Sequence, residues 1–278
     1  MKANAAGYVR ANSVAQALDL LAAAGGEGRV IAGGQSLVAA MNLQLNSGLK
    51  LVDINAVAAL RGIAVADGVL RLGALTRHAE LASDPLVARH APLLAASAPL
   101  IAHAAIRNRG TLGGSLAHAD PAAELPACAL ALGAVLVAEG PGGERRIAAE
   151  EFFEGLFATA LAEDELLTAV EIPLAEDGER QVIRELARRS GDYAIVGLAA
   201  VRRATGHRVA WFGVGEAPVL SRGAMAALDG GDVEAAVAAL AGDLDPQDDL
   251  QGSAAYRRHV AGVLLRRAAV ELGEAAHA

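Results

Sequence analysis

Two short glycine-rich segments, Ala32-Gly33-Gly34-Gln35-Ser36-Leu37 and Thr111-Leu112-Gly113-Gly114-Ser115, carry the most specific chemistry in this sequence. A Gly-Gly pair at the end of a strand lets the backbone approach a ligand closely, because glycine has no Cβ and reaches φ > 0 at little cost. Ser36 adds a hydroxyl, and a helix opening at Ser36 would turn unpaired amides toward the same space, making an anion site without a lysine. For either loop alone, a tight strand-to-helix turn is the simpler reading. Two loops of the same chemistry, far apart in the chain, suit an elongated ligand gripped from two places, and a dinucleotide is the obvious candidate. Neither loop is a Walker A motif, since no Gly-Lys-Ser/Thr follows, and Gly-x-Gly-x-x-Gly is absent from both. Gly213-Val214-Gly215 is a fragment of that fingerprint and reads as a strand-end turn.

Other chemistry-bearing residues do not assemble into a reaction centre. His78 reads equally as a ligand-reaching side chain and as a surface or capping histidine. His103 and His118 lie near the second loop without metal-ligand spacing and read as structural. Glu150, Glu151 and Glu154 read as a solvated helix face, Arg266-Arg267 as surface charge, and Arg188-Arg189 either as surface charge or as a basic edge that meets an acidic partner subunit. The single cysteine, Cys128, reads as an inert buried thiol among alanines and leucines. Alone it holds neither zinc nor an iron–sulfur cluster, so any such centre belongs to another chain.

Composition narrows the partners. A net charge of −8 and 3% aromatic residues disfavour a nucleic acid, which rewards clustered cations and stacking platforms. Much of the 54% apolar fraction is alanine, and the longest apolar stretch, Ala127 to Ala138 around Gly133, falls short of the roughly 18 residues of a membrane span. Met1-Lys2-Ala3-Asn4-Ala5-Ala6 lacks an apolar leader, which makes the cytoplasm the expected compartment.

The elements that must position the loops follow from periodicity. The N-terminal residues lead into a helix with a Ser13/Gln16 capping box and apolar residues from Val14 to Ala22, ended by Gly25-Gly26. A short strand at Arg29 to Ala32 runs into the first loop and a helix over Leu37 to Leu45. Another strand spans Leu49 to Ile54. Apolar runs around Asp67-Gly68 predict a hairpin. Leu75 to Ile106 is helix-rich and broken at Pro85, Pro92 and Pro99. After the second loop come a helix from Glu124, a strand near Val135 and a strand over Glu165 to Ile172 closed by Pro173. The polar stretch Ala175 to Arg180 reads as a domain boundary. Beyond it, Val182 to Ala187, Ala194 to Arg202 and Val209 to Val214 predict strands. A last helix carries Tyr256, Val260, Val263, Leu264 and Ala268 on one face, with Arg257, Arg258, Arg266 and Arg267 mostly elsewhere.

With Arg107-Asn108-Arg109-Gly110 leading into the second loop, then Asp120-Pro121, Glu171-Ile172-Pro173 and Arg188-Arg189-Ser190-Gly191-Asp192-Tyr193-Ala194 in this order, the chain resembles the FAD-binding medium subunits of molybdenum hydroxylases. That family includes the medium subunit of carbon monoxide dehydrogenase and the flavin domain of xanthine dehydrogenase. The resemblance implies an α+β, PCMH-type (vanillyl-alcohol-oxidase-like) fold. Its two FAD-binding lobes would span 1–56 and 57–176, followed by a smaller C-terminal domain at 177–278.

It also implies roles for particular residues. Ala32, Gly33, Gly34, Gln35, Ser36 and Leu37 would wrap the FAD pyrophosphate with backbone amides. Thr111, Gly113, Gly114 and Ser115 would complete the grip, with hydroxyl bonds from Ser36 and Thr111. Ile101 would pack near the flavin, Asp120 and Glu124 would accept hydrogen bonds from the cofactor, Leu167 would give a main-chain contact, and His78 is a further cofactor-side candidate. Arg184, where several relatives have lysine, would place a cation near the flavin ring, and Tyr193 would cover a ring face. Ala39 replaces a common proline, and Ser115 a common Asn or Asp.

The function implied is electron relay. A large subunit with the molybdenum cofactor oxidises the substrate, a small subunit with [2Fe–2S] clusters delivers electrons to FAD, and the complex is a dimer of heterotrimers. No catalytic or metal-ligating residue is expected in this chain. A standalone flavin oxidase or reductase and a non-redox nucleotide-binding module are the alternatives.

Overall fold

The computed structural model describes residues 4–273, so Met1, Lys2 and Ala3 of the N-terminal stretch read above lie outside the described residues. The first element is a strand, β1 (Gly7–Arg10), rather than the start of a helix. It is a mostly exposed edge strand with no apolar alternation, so periodicity does not reveal it. Next come α1 (Val14–Ala24), β2 (Gly28–Ile31), α2 (Leu37–Asn42) and β3 (Lys50–Asp53), with the strands forming a parallel sheet of order β1-β3-β2. The Ser13 hydroxyl accepts from Gln16 N at 3.1 Å, while the Gln16 side chain accepts from Asn12 N at 2.8 Å, so the helix starts where the capping signal put it. Ala17 and Leu21 of α1 pack with Val52, Ile54 and Leu60 in a small core beneath the first glycine loop.

The hairpin β4 (Ile63–Ala66) and β5 (Val69–Gly73) turns at Asp67-Gly68, both with positive φ, as a type I′ connection requires. Three short helices follow, α3 (His78–Ser83), α4 (Pro85–His90) and α5 (Pro92–Ser97). Pro85 and Pro92 open helices, at the position where a missing N–H costs nothing. Then come α6 (Ala104–Arg107), α7 (Leu112–His118), α8 (Glu124–Leu132), β6 (Val135–Gly140), β7 (Gly143–Ala148), α9 (Ala149–Phe152), β8 (Phe153–Gly155), β9 (Ala158–Thr159) and β10 (Leu166–Pro173). An antiparallel sheet of order β4-β5-β10-β6-β7 supports them.

The last part of the chain forms an antiparallel sheet of β11 (Arg180–Ala187), β12 (Ala194–Arg203), β13 (Gly206–Phe212) and β14 (Val219–Leu220), then α10 (Arg222–Asp229), α11 (Val233–Asp243) and α12 (Ala254–Leu272). Alternation along these strands sorts the side chains between two cores. Ile183, Ala199, Val201, Ala210 and Phe212 join Leu125, Cys128 and Leu132 of the wholly buried α8, while Val182, Val196, Leu198, Val209 and Trp211 pack against α10, α11 and α12. Cys128 is buried and desolvation pushes its thiol up, as expected of an inert side chain.

One expectation about this region is corrected. Tyr256 is exposed, whereas Arg257 is buried on the inner face of α12, donating to Ile195 O, to Gly213 O at 2.7 Å and to Asp249 at 2.6 Å. Its guanidinium satisfies carbonyls where β12 and β13 begin and end, a role that apolar patterning does not signal. Glu150, Glu151 and Glu154 are all exposed, and Glu150 also bridges Arg208 at 2.8 Å and Arg222 at 2.7 Å.

Candidate functional site

A cleft of about 700 Å³ runs between the segment after β2, the start of α7, the start of α8 and the turn before β12. Its volume lies within the ~300–1,000 Å³ of small-molecule sites. Ala32, Gly33, Gly34, Gln35, Ser36 and Leu37 line one wall. The helix here starts at Leu37 rather than Ser36, and the Ser36 hydroxyl makes no cap bond, so it is available to the cleft. The consecutive N–H groups of Gly33, Gly34, Gln35, Ser36 and Leu37 donate to no protein acceptor among the described residues. Such a run of open donors is costly unless water or a ligand takes it up. Gly34 holds φ +73°. At Gly33 a Cβ would lie 2.3 Å from Arg109 O, so this glycine is dictated by the contact between the two loops as well as by access to a ligand.

The second loop also lines the cleft, through Thr111, Gly113, Gly114 and Ser115, but its amides are spoken for. Leu112 N donates to Thr76 O at 2.8 Å and Gly113 N to Ala74 O at 2.9 Å; Gly114 N donates to Thr111 Oγ1 at 3.1 Å and Ser115 N to Thr111 O at 3.0 Å. A Cβ on Gly113 would meet the Ala74 Cβ at 2.6 Å. The expectation that both loops offer matching backbone donors is therefore corrected: α7 is bolted to the end of β5, and what it offers the cleft is the Thr111 hydroxyl and the Ser115 side chain. His78 supports this arrangement. Its Nε2 donates to Thr111 O at 3.1 Å, leaving an unprotonated Nδ1 buried without a partner. Burial, with Arg77 and Arg107 nearby, pushes its pKa down to about 4, so the imidazole is neutral at pH 7.

The far end gathers Ile101, Asp120, Glu124, Leu167 and Tyr193. Glu124 opens α8 and is 7% exposed; desolvation, with Glu185 and Asp120 close by, raises its pKa to about 8. Tyr193 is exposed over much of its surface, but its phenol is held above the usual range by desolvation and by the Asp120 and Glu124 carboxyls. Gly191, at φ +81°, seats this turn against Ala102, whose carbonyl would lie 2.5 Å from a Cβ there.

Arg184 is the one expected site residue that the fold does not bring to the cleft. Alternation on β11 turns it to the opposite face, where it pairs with Glu271 of α12. The neighbouring Glu185 shares the face of Ile183, toward α8. Desolvation raises its pKa to about 7, and its Oε2 is buried without a partner. Sequence reasoning missed Glu185; the period of two along β11 was the signal that separates it from Arg184. His118 was read as structural, yet it lines the cleft and packs on Phe157 with ring centroids 4.9 Å apart. No cluster of His, Cys, Asp and Glu among the described residues is arranged to hold a metal.

Residues 3–175 match the model of the FAD binding domain in molybdopterin dehydrogenase, and residues 181–272 that of the CO dehydrogenase flavoprotein C-terminal domain. The chain belongs to the FAD-binding medium-subunit family of molybdenum hydroxylases. Among members of this family, it is 39% identical to the 6-hydroxypseudooxynicotine dehydrogenase complex subunit alpha of Paenarthrobacter nicotinovorans, over 96% of this chain and 94% of the relative. It is 36% identical to the carbon monoxide dehydrogenase medium chain of Hydrogenophaga pseudoflava, over 94% of each. Its fold superposes on a chain of the carbon monoxide dehydrogenase from that organism with a TM-score of 0.95 at 35% identity, covering 99% of this chain and 100% of the other. For quinoline 2-oxidoreductase from Pseudomonas putida 86 the TM-score is 0.91 at 34% identity, covering 98% and 99%. Medium-subunit membership makes the chain an oxidoreductase subunit with an FAD-binding domain of the α+β type.

Proposed function

We propose that the chain passes electrons through FAD between a small subunit carrying [2Fe–2S] clusters and an external acceptor, while a large subunit carrying the molybdenum cofactor oxidises the substrate, the whole forming a dimer of heterotrimers. The observation that carries the cofactor part is the run of unengaged N–H groups from Gly33 to Leu37 in a cleft of the right size. In a chain of net charge −8, backbone donors of this kind supply the positive potential that a pyrophosphate needs. Bound there, FAD supplies a carrier that takes electrons singly or in pairs.

The protein's own residues then divide the work. Ala32, Gly33, Gly34, Gln35, Ser36 and Leu37 hold the anion, with Ser36 and Thr111 adding hydroxyl donors beside Gly113, Gly114 and Ser115. His78 keeps Thr111 in place as a neutral prop. Ile101 and the Leu167 main chain pack the cofactor, Asp120 and Glu124 accept its polar groups, and Tyr193 closes the open side. A carboxyl such as Glu124, protonated in part at neutral pH, donates as well as accepts a hydrogen bond. The lobes 1–56 and 57–176 with the third unit 177–278 are the working domains. The kinship with complex subunits of carbon monoxide and 6-hydroxypseudooxynicotine dehydrogenases supports the division of labour with partner chains.

The test is an absorption spectrum with metal analysis of the gently purified native complex, before and after anaerobic dithionite. Bleaching flavin bands accompanied by iron and molybdenum are expected. Flavin without metals or partner chains would favour a standalone flavoenzyme, and an absence of flavin would overturn the cofactor assignment.

A further inference from the structure

The two glycine loops come from distant parts of the chain, so a grip shared between them depends on what sets their separation. Neither Asn55 nor Arg77 lines the cleft, yet together they tie one loop to the other. Asn55 Nδ2 donates to Ala32 O at 2.7 Å and to Asp53 Oδ1 at 2.7 Å. Asn55 Oδ1 accepts from Arg77 Nη2 at 2.8 Å, and the other terminal nitrogen of Arg77 donates to Arg109 O. Arg109 O is the same atom that a Cβ on Gly33 would strike. The chain of bonds therefore runs from the carbonyl that begins the first loop to the carbonyl that precedes the second, and closes on the spot where the two backbones touch. Its anchor is fixed in turn: Asp53 is buried, accepts from Asn55 N at 2.8 Å and is held by Tyr8 of β1.

The electrostatics argue that Arg77 is there for this geometry. Its pKa is lowered, first by desolvation and then by the guanidiniums of Arg61 and Arg109, which outweigh the favourable charges of Glu80 and Asp53. A cation in such a place contributes through the two acceptors its planar fork reaches at once, a geometry a lysine ammonium does not reproduce. Polar groups that satisfy one another in this way act as a unit, and removing one strands the rest.

We propose that Arg77 and Asn55 are positioning residues that clamp the two glycine loops at the separation FAD requires, setting how tightly the cofactor is held without touching it. This rests on the FAD site proposed above. The experiment uses the native complex carrying Arg77→Met, Arg77→Lys or Asn55→Leu, with FAD release after dilution followed by flavin fluorescence, and the thermal midpoint of the deflavinated protein measured in parallel. Release at least tenfold faster for Arg77→Met and Asn55→Leu is expected, with a smaller change for Arg77→Lys. The midpoints of the deflavinated proteins should fall only modestly, from the stranded partners, and should not track the order of FAD release. The double variant Arg77→Met/Asn55→Leu should release FAD no faster than the quicker single variant, because each breaks the same link. Release within twofold of the unaltered complex would overturn the clamp, and so would faster release matched by an equal fall in thermal midpoint in all three variants. An unaltered complex that holds no FAD would instead remove the reading of the site itself.

Discussion

The segments at Gly33 and Gly113 look alike as sequences and differ in what their backbones have left to give. After β2, the amides from Gly33 to Leu37 have no protein acceptor among the described residues; at the start of α7, the amides from Leu112 to Ser115 all have one. One is a donor array and the other a frame. The second glycine pair lets α7 lie directly on Ala74 and be capped by Thr111, which gives the first loop a rigid surface to rest against. Similar tetrapeptides thus serve ligand contact in one place and helix packing in the other.

Substitutions break this contrast in graded ways. The largest effect is expected for Gly33→Ala, whose Cβ meets backbone rather than a yielding side chain. Overpacking at about 3 kcal/mol would cost roughly a hundredfold in FAD affinity, read by flavin fluorescence titration. Gly113→Ala places its Cβ against Ala74 and should act on the frame, lowering the unfolding free energy of the deflavinated chain by roughly 2 kcal/mol in urea melts. Equal loss of FAD affinity and stability in both variants would erase the distinction.

The frame also contains a titratable group, and the donor array has none. His78 is held near pKa 4 in the folded chain, below its ordinary 6.5, so the unfolded chain binds more protons as pH falls through that interval. The stability that neutral His78 contributes is therefore complete above about pH 6.5 and drains away toward pH 4. Urea midpoints across this window should fall more steeply for the natural chain than for His78→Gln. Identical slopes would contradict the buried neutral imidazole.

The smallest pair of effects separates the hydroxyls. Thr111→Ala removes a helix cap and should cost about 1 kcal/mol of stability without FAD, and more with FAD bound, because its hydroxyl serves the cofactor as well. Ser36→Ala removes a hydroxyl with no cap bond, and should leave the deflavinated chain's stability unchanged while weakening FAD binding by about 1 kcal/mol in a calorimetric titration.

Much of the fold was legible because local signals agreed with tertiary ones. Ser13 with Gln16 fixed the start of α1, Asp67-Gly68 fixed the hairpin, and apolar runs located β11, β12 and β13. Strand β1 was invisible because it is exposed and has no alternation, α10 is amphipathic but only eight residues long, and α11 is an alanine-rich helix with weak periodicity. At the site, residue types pointed to the cleft, but not to the use each made of it. Arg184 and Glu185 are adjacent in sequence and face opposite ways, a distinction that only the pleat of β11 supplies. The occupancy of the second loop's amides depends on Ala74 and Thr76, which no local motif links to Gly113.

Amide hydrogen exchange on the deflavinated and FAD-loaded native complex tests the central contrast most directly. The amides of Gly33 to Leu37 should exchange rapidly without cofactor and become protected with it, while those of Gly113 to Ser115 are protected in both states. Equal gains in protection at the two loops, or none at the first, would contradict that contrast.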